Sequence, residues 1–89
     1  MKKIYKYKLD ITDRQIIDLP RDAKLLDIQV QNSDICLWAE IEVDEVTVST
    51  LIECFGTGNE IYEDTGVDRI YIATVQKDSF VLHFYRRID

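Results

Sequence analysis

The run ICLWAEIEV, residues 35–43, alternates between two kinds of side chain. Its odd-numbered positions are all apolar, whereas its even-numbered positions change from Cys36 and Trp38 to Glu40 and Glu42. Successive side chains of a β-strand point to opposite faces, so this period of two predicts a strand with one face in a core and the other partly in water. The chain has no segment with the period of three to four residues that predicts an amphipathic helix.

Six further runs have a similar alternation or are rich in β-branched residues. KIYKYKL lies near the start of the chain, RQIIDL ends at Pro20, and AKLLDIQVQ places Leu26, Ile28 and Val30 on one predicted face. VTVSTLIECF continues as far as Gly56, and RIYIATV and SFVLHFYR follow it. Proline cannot donate to a β-ladder, and β-branched residues pack well on a pleated surface, so each run is predicted to be one strand.

Short polar segments separate the predicted strands. NSD at residues 32–34 predicts a tight turn, and QKD at residues 76–78 predicts the turn of a closing hairpin. One short helix is an alternative within residues 44–54, although the β-branched residues there disfavour it. About seven short strands predict an all-β fold, a small antiparallel sandwich or barrel that forms a single domain over residues 1–89.

Size and composition exclude several classes of protein. A domain of 89 residues has a modest core, so self-association would help to stabilise it and we expect a homo-oligomer. The sequence has no apolar run long enough to span a bilayer and no apolar signal segment, so we expect a cytoplasmic protein without a membrane partner. Cys36 and Cys54 lie in apolar runs and His83 is the only histidine, which predicts two buried thiols, no metal site and no cofactor.

The charges are distributed unevenly along the chain. The net charge is −6, yet there is no Lys or Arg from Leu25 to Asp68. The bases gather at the two ends, and if the terminal strands lie side by side they form one basic face on an acidic protein. Such a face is too small for duplex DNA, which needs many phosphate contacts, but it suits a small anion. The terminal bases are Lys2, Lys3, Lys6, Lys8, Arg86 and Arg87.

The segment FGTGNEI, Phe55 to Ile61, holds two of the three glycines. It lacks the lysine of a P-loop, and it lacks the helix and the third glycine of a dinucleotide-binding fingerprint. Two interpretations remain. The backbone N–H groups around Thr57 converge on an anion, or the segment is a strand end at which a glycine takes a positive φ.

Aromatic residues on several predicted strands form a second candidate site. Tyr5, Tyr7, Trp38, Tyr71 and Tyr85 are either a stacking platform for nucleobases or part of a core or subunit interface. Cations near these rings favour a nucleotide, because a nucleotide needs stacking for its base and positive charge for its phosphate. The single histidine has no nucleophile beside it in any known catalytic motif, so we predict a structural histidine and no enzyme.

The ordered words YKLDITDRQIIDLPRDAKLLDIQVQNSDICLWAEIEVD and FGTGNEI resemble a family of small phage and prophage proteins, mostly of unknown function. The resemblance covers Tyr5 to Ile61 and, more loosely, the closing hairpin. It implies a phage protein that acts in the host cytoplasm. Small phage proteins often counter host defence, and the anti-CBASS sponges do so as oligomers that sequester cyclic dinucleotides without cleaving them, which suggests the same role here by analogy.

The leading hypothesis is therefore an oligomeric phage protein that hides a small anionic nucleotide, such as the cyclic dinucleotide 3'3'-cGAMP, from a host effector. Aromatic rings would stack on a base, while the Gly-Thr-Gly segment and the terminal arginines would hold phosphate. The alternatives are an acidic inhibitor that mimics nucleic acid or caps a host defence protein, and a minor virion or assembly component. The predicted ligand-binding residues are Trp38, Phe55, Gly56, Thr57, Gly58, Asn59, Tyr85, Arg86 and Arg87.

Overall fold

The structure, a computed structural model, describes residues 1–88. These residues form seven antiparallel strands and contain no helix, which confirms the all-β prediction; the segment suggested as a helix is a turn followed by a strand. A three-stranded sheet has the order β1-β4-β3, and a four-stranded sheet has the order β2-β5-β7-β6. The strands are β1 Lys2–Leu9, β2 Arg14–Pro20, β3 Lys24–Gln31, β4 Asp34–Glu42, β5 Thr47–Gly56, β6 Asp68–Lys77 and β7 Phe80–Ile88.

One apolar cluster joins the two sheets. Every strand contributes at least one side chain to it, and Leu37, Ile52 and Phe84 have no exposed surface. The odd-numbered residues of β4 from Ile35 to Ile41 are all buried, as the alternation in this run predicts. The two sheets therefore pack face to face, and their outward faces remain for other contacts.

Tight turns close the two local hairpins. Gln31 pairs with Asp34 across the β3–β4 turn, and Asn32 and Ser33 between them have φ values of 50° and 69°. Two successive positive φ angles are typical of a type I′ turn, which matches the right-handed twist of the flanking strands. The predicted turn at residues 32–34 is confirmed, and so is the closing hairpin of β6 and β7.

The predicted core face of β3 is wrong in part. The pairing of β3 with β4 shifts between Leu25 and Asp27, which is a β-bulge at Leu26. A bulge adds one residue and reverses the alternation beyond it. Leu25 consequently packs against the core together with Ile28, whereas Leu26 is exposed.

The expectation that the terminal strands lie side by side is wrong within residues 1–88. β1 pairs only with β4, while β7 lies between β5 and β6 in the other sheet. The lysines of β1 contact the neighbouring acidic and amide side chains instead, as in Lys8 to Asp34 at 3.5 Å and Lys6 to Gln31 at 2.8 Å. The bases of the two ends do not merge because β1 and β7 belong to different sheets, and the carboxylates of β4 lie beside the lysines of β1.

Residues 1–88 include no helix that is long and apolar enough to cross a membrane.

Candidate ligand-binding site

The outer face of the four-stranded sheet carries a cluster of charged and aromatic side chains. On β5, Ile52 and Cys54 enter the core, so Glu53 and Phe55 face outward. In the strand register, Glu53 lies opposite Arg14 of β2 on one side and opposite Tyr85 of β7 on the other. The connection between β5 and β6, residues 57–67, lies over this face and is called the covering segment below.

Glu53 is the centre of the cluster. Only 2% of its surface is exposed, and three arginines from three different strands surround its carboxylate. Burial of a carboxylate costs several kcal/mol of hydration free energy, and cationic partners offset this cost. The arginine cluster consists of Arg14, with Nε 3.1 Å from Glu53, Arg69, with Nε 2.7 Å away, and Arg87, with Nη1 3.6 Å away.

The same arginines hold the covering segment. Arg69 donates from Nη1 to the carbonyl oxygen of Tyr62 at 2.7 Å and from Nη2 to Asp64 at 3.2 Å, and Asp64 also lies 3.6 Å from Arg87. The hydrogen bond to Glu53 is the main reason that the pKa of Arg69 is raised above its ordinary value. Three guanidinium groups thus face two carboxylates, which leaves one positive charge in excess.

Three aromatic rings extend the cluster along the sheet. The rings of Phe55 and Tyr85 are 5.8 Å apart in an edge-to-face arrangement, and those of Tyr71 and Tyr85 are 5.6 Å apart. The guanidinium of Arg69 lies 5.8 Å from the centre of the Phe55 ring. Edge-to-face pairs and cation–π contacts of this kind each add about 0.5–1.5 kcal/mol to simple burial.

His83 lies between two threonines beside these rings. Its Nε2 is 2.8 Å from Oγ1 of Thr57, and its Nδ1 is 2.9 Å from Oγ1 of Thr74, which also contacts the Tyr71 hydroxyl at 2.7 Å. A hydroxyl both donates and accepts, so the two threonines satisfy either tautomer of the ring. This arrangement orients the histidine within the sheet.

The Gly-Thr-Gly segment forms the turn that ends β5. The Asn59 N–H donates to the Gly56 carbonyl at 3.0 Å, and Gly58 has a φ of 89°, where a side chain is strained. The Thr57 N–H donates to the Val81 carbonyl at 3.3 Å. These two N–H groups already have acceptors within the protein, so this geometry is that of a strand end, the second of the two interpretations above.

An open groove of about 760 Å³ runs beside the turn. We call it the first groove. The side chain of Arg14 is about half exposed there, and it contacts Glu53 through Nε, so its Nη atoms have no ion-pair partner among residues 1–88. The groove is lined by Thr12, Asp13, Arg14, Glu53, Cys54, Phe55, Gly58, Asn59, Glu60 and Tyr62.

One family profile, described as a domain of unknown function and named DUF7352, matches residues 1–89. The chain belongs to the DUF7352 family. No curated protein matches it, and no solved structure does. Membership of the DUF7352 family does not indicate an activity, so the function must be inferred from the geometry of the site.

The DUF7352 structure brings together six of the nine predicted ligand-binding residues and separates two others from them. Trp38 lies on the outer face of the three-stranded sheet, opposite Lys6 and Asp27. Arg86 alternates with Arg87 along β7 and points to the other side of the sheet. Gly56 ends β5 beside the turn. The residues brought together on the outer face of the four-stranded sheet or along the first groove are Phe55, Thr57, Gly58, Asn59, Tyr85 and Arg87.

Sequence reasoning missed the charged centre of this DUF7352 site. Arg14, Glu53, Tyr62, Asp64 and Arg69 were not among the predicted residues. One signal was available, because Glu53 is the only charged residue in the mainly apolar run LIECF and such a position predicts either an exposed face or a buried ion pair. Within residues 1–88, no three His, Cys, Asp or Glu side chains converge as a metal ion requires.

Proposed function

We propose that this DUF7352 protein binds a small nucleotide in the first groove and sequesters it without cleaving it. The observation that carries the proposal is the position of Arg14, whose half-exposed side chain lines the groove together with Phe55 and Tyr62. An arginine beside two aromatic rings provides the two kinds of contact that a nucleotide uses, a planar cation for phosphate and stacking surfaces for the base.

The size of the groove supports a ligand of this class. Pockets for small molecules commonly enclose 300–1,000 Å³, and the first groove has about 760 Å³. Tyr62 is 60% exposed, so its ring is accessible for stacking at about 1–3 kcal/mol per base. The amide of Asn59 and the carboxylate of Glu60 offer an acceptor or donor to the polar edge of a base.

The charges of the groove restrict the ligand further. Asp13 and Glu60 line it together with Arg14, so a triphosphate with several charges would meet repulsion. A cyclic dinucleotide carries a single charge on each phosphodiester and two bases for stacking, and it suits the groove better. The phage setting and the anti-CBASS role belong to this proposal through the sequence resemblance given above.

The surroundings of His83 agree with binding rather than turnover. Both ring nitrogens are engaged by threonine hydroxyls, and a general base needs a free nitrogen directed at the substrate. We therefore expect any bound nucleotide to be recovered intact.

Isothermal titration tests the proposal. The wild-type protein is titrated with cyclic dinucleotides, linear dinucleotides and ATP, and the mixture is then analysed by mass spectrometry. We expect a cyclic dinucleotide to bind and to remain uncleaved, and Arg14→Ala to weaken binding at least tenfold. Arg21→Ala is the matched control, because Arg21 is exposed and does not line the groove. Absence of binding by every member of the panel, with correctly folded protein, contradicts the proposal.

A second candidate function is favoured by one observation. Two carboxylates that are not part of the arginine cluster, Asp13 and Glu60, line the first groove, which suits a basic segment of a host protein. An inhibitor of this kind would bind its partner less tightly at high salt. Charge reversal by Asp13→Lys and Glu60→Lys would abolish capture of the partner but would strengthen the binding of a nucleotide. The two functions therefore predict opposite responses to the same variants.

A further inference from the structure

A second, smaller groove of about 370 Å³ lies where the two sheets meet between β3 and β6. Cα atoms of β3 and β6 approach within 8 Å of each other. The two strands, both of which the structure describes in full, are nevertheless not paired by backbone hydrogen bonds. Each strand has a bulge at this place, at Leu26 in β3 and at Ile72 in β6. The residues that line the second groove are Ala23, Lys24, Leu25, Leu26, Ile70, Tyr71, Ile72 and Arg86.

The second groove is apolar and positively charged. Leu26 and Ile70 are 39% and 51% exposed, so two large apolar side chains face solvent in this groove. The charged residues of its lining are Lys24 and Arg86, and neither has an ion-pair partner among residues 1–88. Arg86 is half-buried, and a guanidinium in such a position is stabilised by a carboxylate. An acidic segment with an apolar side chain therefore complements this groove.

The covering segment of the same chain has that chemistry. Glu60 and Tyr62 line the first groove and Asp64 contacts the arginine cluster, whereas Ile61 and Glu63 line neither groove. Ile61 is 45% exposed, and Glu63 is exposed without an ion-pair partner in residues 1–88. An apolar side chain and an unpaired carboxylate thus stand two residues apart on the outside of the molecule.

We propose that the second groove receives the covering segment of a second copy of this chain, with Ile61 against Leu26 and Ile70 and with Glu63 beside Arg86. Burial of Ile61 removes apolar surface from water on both sides of the contact. The ion pair fixes the orientation, because it brings together two opposite charges that have no ion-pair partner among residues 1–88. The net charge of −6 opposes association at other surfaces, so the basic groove is the place where two copies attract each other.

Every copy carries both the segment and the groove. Two copies related by a two-fold axis can form the contact twice and close as a dimer, whereas any other arrangement continues to larger assemblies. In both cases the association requires no nucleotide, so the test of this contact is independent of the proposed function.

Sedimentation velocity at increasing protein concentration, at low and high salt, measures the association. We expect the wild type to self-associate more weakly at high salt. Arg86→Glu and Glu63→Arg each place like charges in the contact, and each variant alone should be monomeric at concentrations at which the wild type associates. An equimolar mixture of the two variants should associate again, because each variant's groove then faces an opposite charge on the other's segment.

Circular dichroism and thermal unfolding of each variant establish that it is folded. The mixing experiment remains decisive even if one substitution lowers the free energy of unfolding. Mixing the two variants restores association only if positions 63 and 86 contact each other directly. A wild type that stays monomeric over the whole concentration range overturns the proposal. It is overturned equally by single variants that associate like the wild type, or by a mixture that remains monomeric.

Discussion

The Nε atom of Arg69 lies 2.7 Å from Oε1 of Glu53, and both side chains are almost completely buried although they stand on the face of the sheet opposite the core. Arg69 comes from β6 and Glu53 from β5, and β7 separates these two strands. The pair therefore spans the middle of the four-stranded sheet, and it joins the covering segment to the sheet through Tyr62 and Asp64.

Removing the charge of Glu53 should destabilise the fold. Glu53→Gln leaves the three arginines without their shared carboxylate, and the loss of one partner from a buried ion pair costs about 3–5 kcal/mol in the free energy of unfolding. Urea denaturation measures this loss. Glu45→Gln is the control, because Glu45 is exposed, and its effect should stay within about 0.5 kcal/mol. Equal stability of the two variants would show that the buried cluster contributes nothing.

Truncating Phe84 should be the most costly core substitution. The residue has no exposed surface and packs within the cluster shared by both sheets. Phe84→Ala removes its ring and leaves a cavity, which costs about 3–5 kcal/mol. Phe80→Ala removes the same ring at a side chain that is 58% exposed. Chemical denaturation should show a much smaller loss for Phe80→Ala, and similar losses would mean that Phe84 is not at the centre of the core.

The turn after β5 should require a residue that tolerates a positive φ. Gly58 has a φ of 89° and open space around the position of a Cβ, so a substitution there strains the backbone without a steric clash. Gly58→Ala should lower the free energy of unfolding by about 1 kcal/mol or more. Gly58→Asn should cost less, since asparagine enters the left-handed region more readily. Thermal unfolding compares the two, and an alanine variant as stable as the wild type contradicts this reading.

Cys54 should make stability depend on alkaline pH. Desolvation in the core, followed by the charge of Asp13, raises the pKa of its thiol to about 11 from an ordinary value of 9.0. The unfolded thiol ionises first as the pH rises, so the stability that the neutral thiol contributes is complete below pH 9 and is lost as the pH approaches 11. The advantage of the wild type over Cys54→Ala in denaturant titrations should therefore shrink over this interval.

The same shift slows the reaction of Cys54 with iodoacetamide. In a Cys36→Ala background, alkylation at pH 8 should be at least about tenfold slower than for the unfolded chain, because the raised pKa of Cys54 lowers its thiolate fraction. If native and urea-unfolded protein react at the same rate, the thiol is not held in the core.

Local sequence was sufficient to predict most of the fold. The alternation from Ile35 to Ile41 predicts which side of β4 is buried, and the polar residues at Asn32 and Ser33 predict a tight turn, because both signals depend only on neighbouring residues. The bulge at Leu26 was missed because nothing in KLLDIQV distinguishes an inserted residue from a regular one. It reversed the predicted face of half a strand.

The candidate site was predicted only in part because its residues meet through long-range pairing. Alternation predicts the orientation of Phe55 and Tyr85, but it contains no information on which strand lies beside β5. The ion pair of Glu53 with Arg14 joins residues 39 positions apart, so no local pattern could reveal it. For the same reason the pairing of the terminal strands was predicted wrongly.

The order of strand pairing has a consequence for the nascent chain. β1 has no partner other than β4, and β2 has none other than β5 in residues 1–88. As the chain leaves the ribosome, β1 must wait with open edges until β4 has emerged as far as Glu42, and β2 must wait until β5 has emerged as far as Gly56. The β3–β4 hairpin is the earliest unit able to form. The lysines along β1 then have a protective role, since charged side chains on an open strand discourage pairing with the strands of other nascent chains.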